Sequence, residues 1–201
     1  MSTSTDDATY HHGDLKRALI EAGLAMLRHK GADGLGLREL AREVGVSPAA
    51  PYRHFADRKA LLEAMGATGF RDFVATMAQA RDGVPEDEQL PAMAFAYVRF
   101  AIDRPALFKL MFSSELHPYR DAELKQQAAA AYATIAVAAA REDKLEPAEM
   151  AVTCWSFVHG LAMLVLDEQI LGVSRDNADP LIRKLTRNFV GDIRAGRRKP
   201  S

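Results

Sequence analysis

Residues 37–55 read LRELAREVGVSPAAPYRHF, and this stretch decides how the rest of the chain is interpreted. Its first half has apolar side chains at i, i+3, i+4 and i+7, which predicts a helix of about two turns with one apolar face. These side chains are Leu37, Leu40, Ala41 and Val44. Gly45 follows at the position where a helix C-terminus favours a residue that can adopt positive φ. The pattern therefore predicts that the first helix ends there.

The second half of the stretch predicts another short helix. Ser47 suits an N-cap, and Pro48 suits the first helical position, where its missing N–H costs nothing. This helix is predicted to be about two turns long, with Tyr52 and Phe55 near its end. Two short helices joined by a glycine-containing turn form a helix-turn-helix, whose second helix lies in the major groove of DNA.

The stretch resembles the TetR family of transcriptional regulators. The family motif reads leucine-alanine, glycine-valine-serine, a short variable helix and then tyrosine-x-histidine-phenylalanine. It stands here as Leu40-Ala41, Gly45-Val46-Ser47 and Tyr52-Arg53-His54-Phe55, within a match that covers residues 10–63. The resemblance implies an all-α regulator that binds DNA and is most often a repressor. One departure is Gly36, because the family usually has a threonine there that caps the next helix and contacts a phosphate.

The resemblance also implies which side chains contact phosphates. Tyr52, His54 and Lys59 occupy the positions of phosphate contacts, and Phe55 belongs to the core. Two alternatives stay open. Tyr52 could instead be a core aromatic residue, and His54 could be a capping or packing residue.

Base reading is predicted from the residues of the second helix. Positions 49 and 50 offer only alanine methyl groups, and Pro51 removes a backbone donor. Base reading therefore falls to Arg53, with help from Ser47 or Arg38. The complete set of candidate DNA contacts is Arg38, Ser47, Pro48, Ala49, Ala50, Tyr52, Arg53, His54 and Lys59.

Hydrophobic periodicity along the chain predicts an all-α fold of about nine helices. The predicted helices cover residues 13–30, 37–44, 48–55, 58–81, 90–103, 107–112, 121–141 and 147–171, and the last one starts near residue 179. Polar loops are predicted over residues 82–91 and 113–121. We expect a three-helix DNA-binding domain over residues 10–56 and a helical effector and dimerisation domain over residues 57–197. Residues 1–9 and 198–201 are expected to be flexible termini.

Residues 150–166 read MAVTCWSFVHGLAMLVL and are apolar nearly all round the predicted helix. A membrane span is the disfavoured alternative, because the run is short for a bilayer and is interrupted by polar residues. A helix that is apolar on every side must be covered on every side, which points to a partner subunit. The resemblance implies a homodimer through the last two helices, and hence a pseudo-palindromic operator.

The same helix contains Trp155-x-x-x-His159-Gly160, which resembles the Trp-His-Gly (WHG) effector-domain subtype of the family, as does the run over residues 104–112. Large apolar side chains on the body helices predict a cavity for a small apolar or amphipathic effector. The candidate ligand contacts are Met65, Phe73, Phe100, Met111, Trp155 and His159. Each of them could instead be a core residue, and the pocket could be occluded.

Composition narrows the remaining functions. The net charge is −1, and residues 10–60 contain nine basic against six acidic residues, which suits DNA binding without establishing it. The single cysteine, Cys154, predicts a reducing cytoplasm and is interpreted as a core residue. The sequence lacks catalytic and metal-ligand motifs, so we expect neither an enzyme nor a metal or cofactor. The alternative is an all-α ligand-binding protein or enzyme in which the helix-turn-helix is structural.

Overall fold

The computed structural model describes residues 12–32, 34–140 and 147–195, and within them the secondary structure is helical throughout. The α-helices are α1 His12–Lys30, α2 Leu37–Val44, α3 Arg58–Arg81, α4 Glu86–Asp103, α5 Pro105–Met111, α6 Ala122–Ala140, α7 Pro147–Leu166 and α8 Asp179–Ala195. The all-α prediction is confirmed. Within the described residues there are eight α-helices, and a short 3-10 helix, Pro51–Arg53, stands where a ninth was predicted. The predicted flexible termini lie outside the described residues.

Local end signals place most helix boundaries. Gly31 ends α1 with φ 70°, and Gly45 ends α2 with φ 76°, a left-handed conformation that glycine adopts without steric cost. The Asp57 carboxylate accepts a hydrogen bond from the Ala60 N–H at 2.8 Å and caps α3. The predicted span of α3, residues 58–81, is therefore confirmed at both ends.

Two predicted boundaries were wrong. Helix α4 begins at Glu86, inside the predicted polar loop, because Glu86, Asp87 and Glu88 stabilise the positive end of a helix dipole. Helix α7 ends at Leu166 and not near residue 171. Glu168 adopts φ 52° there, and the Gln169 N–H donates back to the Leu164 carbonyl at 2.9 Å, which closes the helix.

Helix α3 joins the N-terminal helices to the rest of the molecule. It contacts α1 on the N-terminal side and α4, α5 and α6 in the rest of the molecule. Gly69 lets α5 approach closely, since a Cβ there would lie 2.8 Å from the Met111 Sδ atom. The continuous core therefore runs from the head, residues 12–56, into the helical body, residues 57–195.

The apolar helix α7 passes a length and composition test for a membrane span, with mean hydropathy 1.5 over Ala148–Leu166. A core helix of a soluble protein passes the same test, and 44% of this span is already buried inside the protein. Cys154 is among its buried residues, as predicted. The opposite face of α7 is exposed to solvent and is a candidate surface for contact with another subunit.

Candidate functional site: an exposed turn and an aromatic cavity

The segment predicted to be the second helix of the helix-turn-helix is not an α-helix. The Ala50 N–H donates to the Ser47 carbonyl at 2.9 Å, and the Arg53 N–H donates to the Ala50 carbonyl at 3.2 Å, which are 3-10 contacts. Pro51 has no N–H to donate, so the hydrogen bond to the Ser47 carbonyl that would close the first turn of an α-helix cannot form. The predicted Ser47 N-cap is wrong as well, because Ala50 occupies that position and no side chain caps the 3-10 helix.

This segment, residues 47–53, is called the exposed turn below. Tyr52 is 50% exposed, which excludes the core alternative for this residue. Pro51 and Phe55 are buried and hold the turn on the head, so the prediction for Phe55 is confirmed. The predicted DNA contacts that are exposed are Arg38, Ser47, Pro48, Ala49, Tyr52 and Arg53. Those that are half-buried are Ala50, His54 and Lys59.

Salt bridges reduce the positive charge that the head presents. Lys30 pairs with Glu39, and this contact holds the pKa of the Glu39 carboxyl below its usual value. Arg42 also lies 3.5 Å from Glu39. Arg38 and Arg53 remain exposed and Lys59 is half-buried, so these three are the candidate cations for an anionic surface.

The body contains a cavity of about 660 Å³, called the aromatic cavity below. Its wall comes from α3, α4, Phe112 at the end of α5, the loop over residues 113–121, α6 and α7. The lining residues are Phe70, Phe73, Tyr97, Phe112, His117, Tyr119, Lys125, Ala128, Ala129, Ala131, Tyr132, Ile135, Trp155 and His159. A volume of this size suits a small organic molecule.

Three of the six predicted ligand contacts lie on this wall, namely Phe73, Trp155 and His159. Met65, Phe100 and Met111 are not among the residues that line this cavity, and a ligand contact by any of them stays a prediction. Each is buried in packing between helices: Met65 lies against Gly23 of α1, Met111 lies against Gly69, and the Phe100 ring packs on Phe73 at 5.2 Å. The apolar period of a helix marks buried positions but does not distinguish core from cavity wall.

Several wall residues were missed by the sequence analysis. Tyr97 lies inside an apolar run of α4, and Tyr119 lies in a loop that was interpreted only as polar. Lys125 and Tyr132 lie on α6, whose alanine-rich sequence indicated close packing rather than a ligand wall. The one available signal was the phenol of Tyr97, since a buried hydroxyl requires a hydrogen-bond partner.

That partner is found in the wall. The Trp155 Nε1–H donates to the Tyr97 hydroxyl oxygen at 3.1 Å, and the same hydroxyl lies 2.9 Å from His159 Nδ1. Tyr97 is only 1% exposed, and burial raises the pKa of its hydroxyl far above the usual value. Burial also lowers the pKa of the His159 imidazole. Both groups are therefore neutral near pH 7.

A separate set of contacts connects the cavity to the head. The Arg58 guanidinium donates from Nε to the Leu35 carbonyl at 2.9 Å and from Nη2 to the Ala32 carbonyl at 2.6 Å. The same guanidinium forms a salt bridge with Glu115. Glu115 belongs to the loop over residues 113–121, whose His117 and Tyr119 line the cavity. We call this set of contacts the Arg58 joint.

Comparison with known proteins identifies the chain. A family model described as bacterial regulatory proteins, tetR family, matches residues 19–65. A second model, described as Tetracyclin repressor-like, C-terminal domain, matches residues 90–189. The chain belongs to the TetR family. The predicted class, a transcriptional regulator and not an enzyme, is thereby confirmed at the level of the family. The Trp-His-Gly subtype stays a prediction.

Relatives of this TetR-family chain agree with that assignment. The HTH-type transcriptional regulator Rv1816 of Mycobacterium tuberculosis is 31% identical over 108 residues, which are 52% of this chain and 46% of the relative. The chain thus spans about half the length of the curated relatives it matches. A protein of unknown function from Rhodococcus sp. RHA1 has 28% identity, TM-score 0.80 and coverage of 94% of this chain and 98% of its own. The TetR family transcriptional regulator PfmR of Thermus thermophilus, at 17% identity and TM-score 0.58 over 90% and 99%, shares the fold.

Proposed function

We propose that this chain is a ligand-responsive repressor that binds a pseudo-palindromic DNA operator as a homodimer in the cytoplasm. One observation gives the main support for the proposed DNA binding. Tyr52 and Arg53 are exposed side by side on a turn that Pro51 and Phe55 anchor in the head core. An anchored turn that projects a phenol and a guanidinium is suited to a phosphate contact beside a base contact.

The turn also suits close approach to a DNA groove. Ala49 and Ala50 have no bulk beyond Cβ, so the backbone can lie near the base edges and the methyl groups can meet thymine methyl groups. Because the segment is a 3-10 helix and not an α-helix, only a short part of it can enter the groove. We therefore propose that Arg53 supplies most of the sequence discrimination, and that Tyr52, His54 and Lys59 contact phosphates.

The proposed dimer uses α7 and α8. Val152, Ser156, Gly160 and Leu164 follow one another at intervals of four on α7, and all four are exposed. On α8, Phe189 stacks on Phe157 at 4.0 Å and stays half-buried beside this row. A row of small and apolar residues that one subunit leaves exposed is suited to a second copy, and the resulting two-fold interface would pair two heads. Membership of the family supports this arrangement, since its members usually act as dimers.

The aromatic cavity is the proposed effector site, and the Arg58 joint is the proposed route to the head. A molecule in the cavity contacts the loop over residues 113–121, and that loop carries Glu115 against Arg58. Arg58 in turn holds the carbonyls of Ala32 and Leu35, between α1 and α2. A ligand that favours a displaced loop would therefore shift the heads away from DNA-compatible spacing.

Fluorescence anisotropy with DNA flanking its own gene and with random DNA tests the proposal, at a low and a higher salt concentration. Tyr52→Ala and Lys59→Ala are expected to weaken binding to both DNAs by the same factor. Arg53→Ala is expected to remove about 1–3 kcal/mol of discrimination between them. Lys109→Ala removes an equal charge from the body, where Lys109 pairs with Asp167, and serves as the control.

Two outcomes contradict this proposal. Equal losses on both DNAs for Arg53→Ala would remove its role in base reading. Failure of the chain to bind any DNA, even at low salt, would favour a ligand-binding protein in which the helix-turn-helix is structural.

A further inference from the structure

Hydrogen bonding in the cavity wall decides which nitrogen of His159 carries the proton. The indole of Trp155 is a donor only, so its Nε1–H uses the Tyr97 oxygen as an acceptor. The phenolic proton of Tyr97 then needs an acceptor of its own, because the side chain is buried. His159 Nδ1 is the acceptor within reach, at 2.9 Å. A neutral imidazole that accepts at Nδ1 must carry its proton on Nε2.

Packing holds the imidazole ring in this orientation. Phe108 stacks on its face at 5.4 Å between ring centroids, and Phe112 meets it edge-on at 4.8 Å. The ring is half-buried and lines the cavity, so it is a fixed element of the wall and not a mobile surface side chain. Because Nδ1 is hydrogen-bonded to the Tyr97 hydroxyl, Nε2–H is the polar group of the ring that remains for a ligand.

The rest of the wall restricts the charge and shape of a ligand. Among the described residues, the side chains that line the cavity include no carboxylate, and the cationic one is Lys125. The remaining contacts are predominantly aromatic rings and alanine methyl groups. Such a wall favours a planar apolar body over a flexible polar one, and its described residues give no carboxylate partner to a cationic ligand.

We propose that the effector is a planar, aromatic or similarly apolar molecule with an oxygen acceptor, and that this oxygen accepts a hydrogen bond from His159 Nε2–H. This inference rests on the proposed effector site and gives it a chemical class. In this scheme Tyr97 and Trp155 are positioning residues. They act through His159 by keeping its proton on the nitrogen that meets the ligand.

The tautomer is tested first, in the unliganded full-length chain. Nitrogen-15 NMR of the imidazole distinguishes a protonated ring nitrogen from an accepting one. The expected result is a protonated Nε2 and an accepting Nδ1 for His159, with Tyr97→Phe removing this preference. A proton on Nδ1 in the wild-type chain would overturn the inference, whatever the protein does with DNA.

Ligand class is tested with three probes that share one ring system: 2-methylnaphthalene, 2-acetylnaphthalene and 2-naphthoate. Calorimetry gives the Kd of each, and the fluorescence of Trp155, the only tryptophan of the chain, reports occupancy of this cavity. The acetyl probe is expected to bind more tightly than the methyl probe. His159→Leu is expected to reduce that preference by about three- to tenfold, the usual range for one hydrogen bond to a neutral group.

Matched variants make the probe result specific. His117→Leu removes the other histidine of the wall and is expected to leave the acetyl-to-methyl preference unchanged. Lys125→Met is expected to weaken only 2-naphthoate, which separates an anionic from a neutral oxygen ligand. An unchanged preference in His159→Leu, or no binding of any probe, would overturn the ligand class. Neither result bears on whether the chain binds DNA, which the anisotropy assay decides separately.

Discussion

The exposed turn and the aromatic cavity are built in opposite ways. The turn is one continuous segment of seven residues, 47–53, held by two buried anchors and its own backbone hydrogen bonds. The cavity wall is assembled from α3 to α7, and its central polar contact joins Tyr97 to residues about sixty positions away. The first is a local structure that any intact head can present. The second exists only when the whole body is packed.

Because of this difference, substitutions in the turn and in the cavity wall are expected to affect different properties. Altering one exposed side chain of the turn is expected to change DNA binding without disturbing the fold, because exposed side chains have few contacts within the subunit. Altering the cavity wall changes both the cavity and the packing around it, since the same rings belong to the core cluster. Contacts with DNA and contacts with a ligand can therefore be separated by mutation only if stability is measured alongside binding.

The largest expected difference in the free energy of unfolding is between alanine substitutions of two phenylalanines. Phe55 is 2% exposed in the head core, so Phe55→Ala is expected to lower the free energy of unfolding by about 3–5 kcal/mol. Phe112 already faces the cavity, so Phe112→Ala enlarges an existing space and is expected to cost only about 1–2 kcal/mol through lost aromatic contacts. Urea denaturation measures both. An equal cost for Phe112→Ala would mean that the cavity is closed core.

How far each region could be predicted from the sequence follows the same division. The ends of α1, α2 and α3 were predicted because Gly31, Gly45 and Asp57 act on their immediate neighbours. The exposed turn was recognised from its motif, but its conformation was not. The loss of one donor at Pro51 was predicted, but the sequence did not indicate that the segment would form a 3-10 helix instead of an α-helix.

The cavity could be predicted only in part, for a physical reason. Buried side chains in helices share the same apolar period whether they face another helix or an empty space. Phe73 and Met65 lie two turns apart on α3, but one lines the cavity and the other packs against Gly23. Their environments differ because of how α6 and the loop over residues 113–121 pack on α3. This long-range packing cannot be read from the local sequence pattern.

Loss of the proposed dimer is expected to affect the exposed turn and the aromatic cavity differently. The turn is expected to require two heads for tight operator binding, whereas one body contains a complete cavity. Val152→Glu places a charge in the proposed α7 interface and is expected to dissociate the dimer and weaken operator binding by about tenfold or more. Binding of 2-acetylnaphthalene should not change. Analytical ultracentrifugation and anisotropy measure these outcomes.

Val137→Glu is the matched control for that experiment, since Val137 is 57% exposed on α6 and Val152 is 51% exposed on α7. A dimer that survives Val152→Glu but not Val137→Glu would move the interface to α6.

The Arg58 joint connects the two regions, and its loss is expected to have an intermediate effect. Arg58→Met removes two hydrogen bonds from a charged donor as well as the salt bridge with Glu115, and is expected to cost about 1–3 kcal/mol of unfolding free energy. Arg71→Met, on the same helix, removes only an exposed salt bridge with Glu123 and should cost about 0–1 kcal/mol. Denaturation curves compare the two. Equal costs would mean that the joint is an ordinary surface contact.

Glu115→Gln tests the connecting role of the joint more directly. It leaves Arg58 on the Ala32 and Leu35 carbonyls but removes the opposite charge in the loop. The release of DNA by a bound cavity ligand is expected to weaken, while DNA affinity without ligand stays unchanged. Full release by the same ligand in Glu115→Gln would show that the signal travels by another path.

The smallest expected effect comes from the imidazole of His159. Burial lowers its pKa below the ordinary 6.5, so in the range just below pH 6.5 the unfolded chain binds a proton that the folded chain does not. Stability from this group is therefore complete above pH 6.5, and it falls as the pH drops through 6.5 toward the folded pKa. The charged or titratable neighbours on the same wall are Tyr97, Tyr119, Tyr132, His117 and Lys125. Burial raises the pKa values of the Tyr97 and Tyr119 hydroxyls, so both stay neutral in this range.

Urea denaturation on both sides of pH 6.5 measures this effect in the wild-type chain and in His159→Gln. The other histidines and the carboxyl groups contribute equally to both chains, so the difference between the two pH profiles belongs to His159. Glutamine keeps a side chain that can accept from Tyr97 but cannot titrate, so its profile is expected to fall less steeply on acidification. Parallel profiles would mean that the imidazole is as well hydrated as in the unfolded chain, and the cavity wall would then be open to water at the position where we place the ligand oxygen.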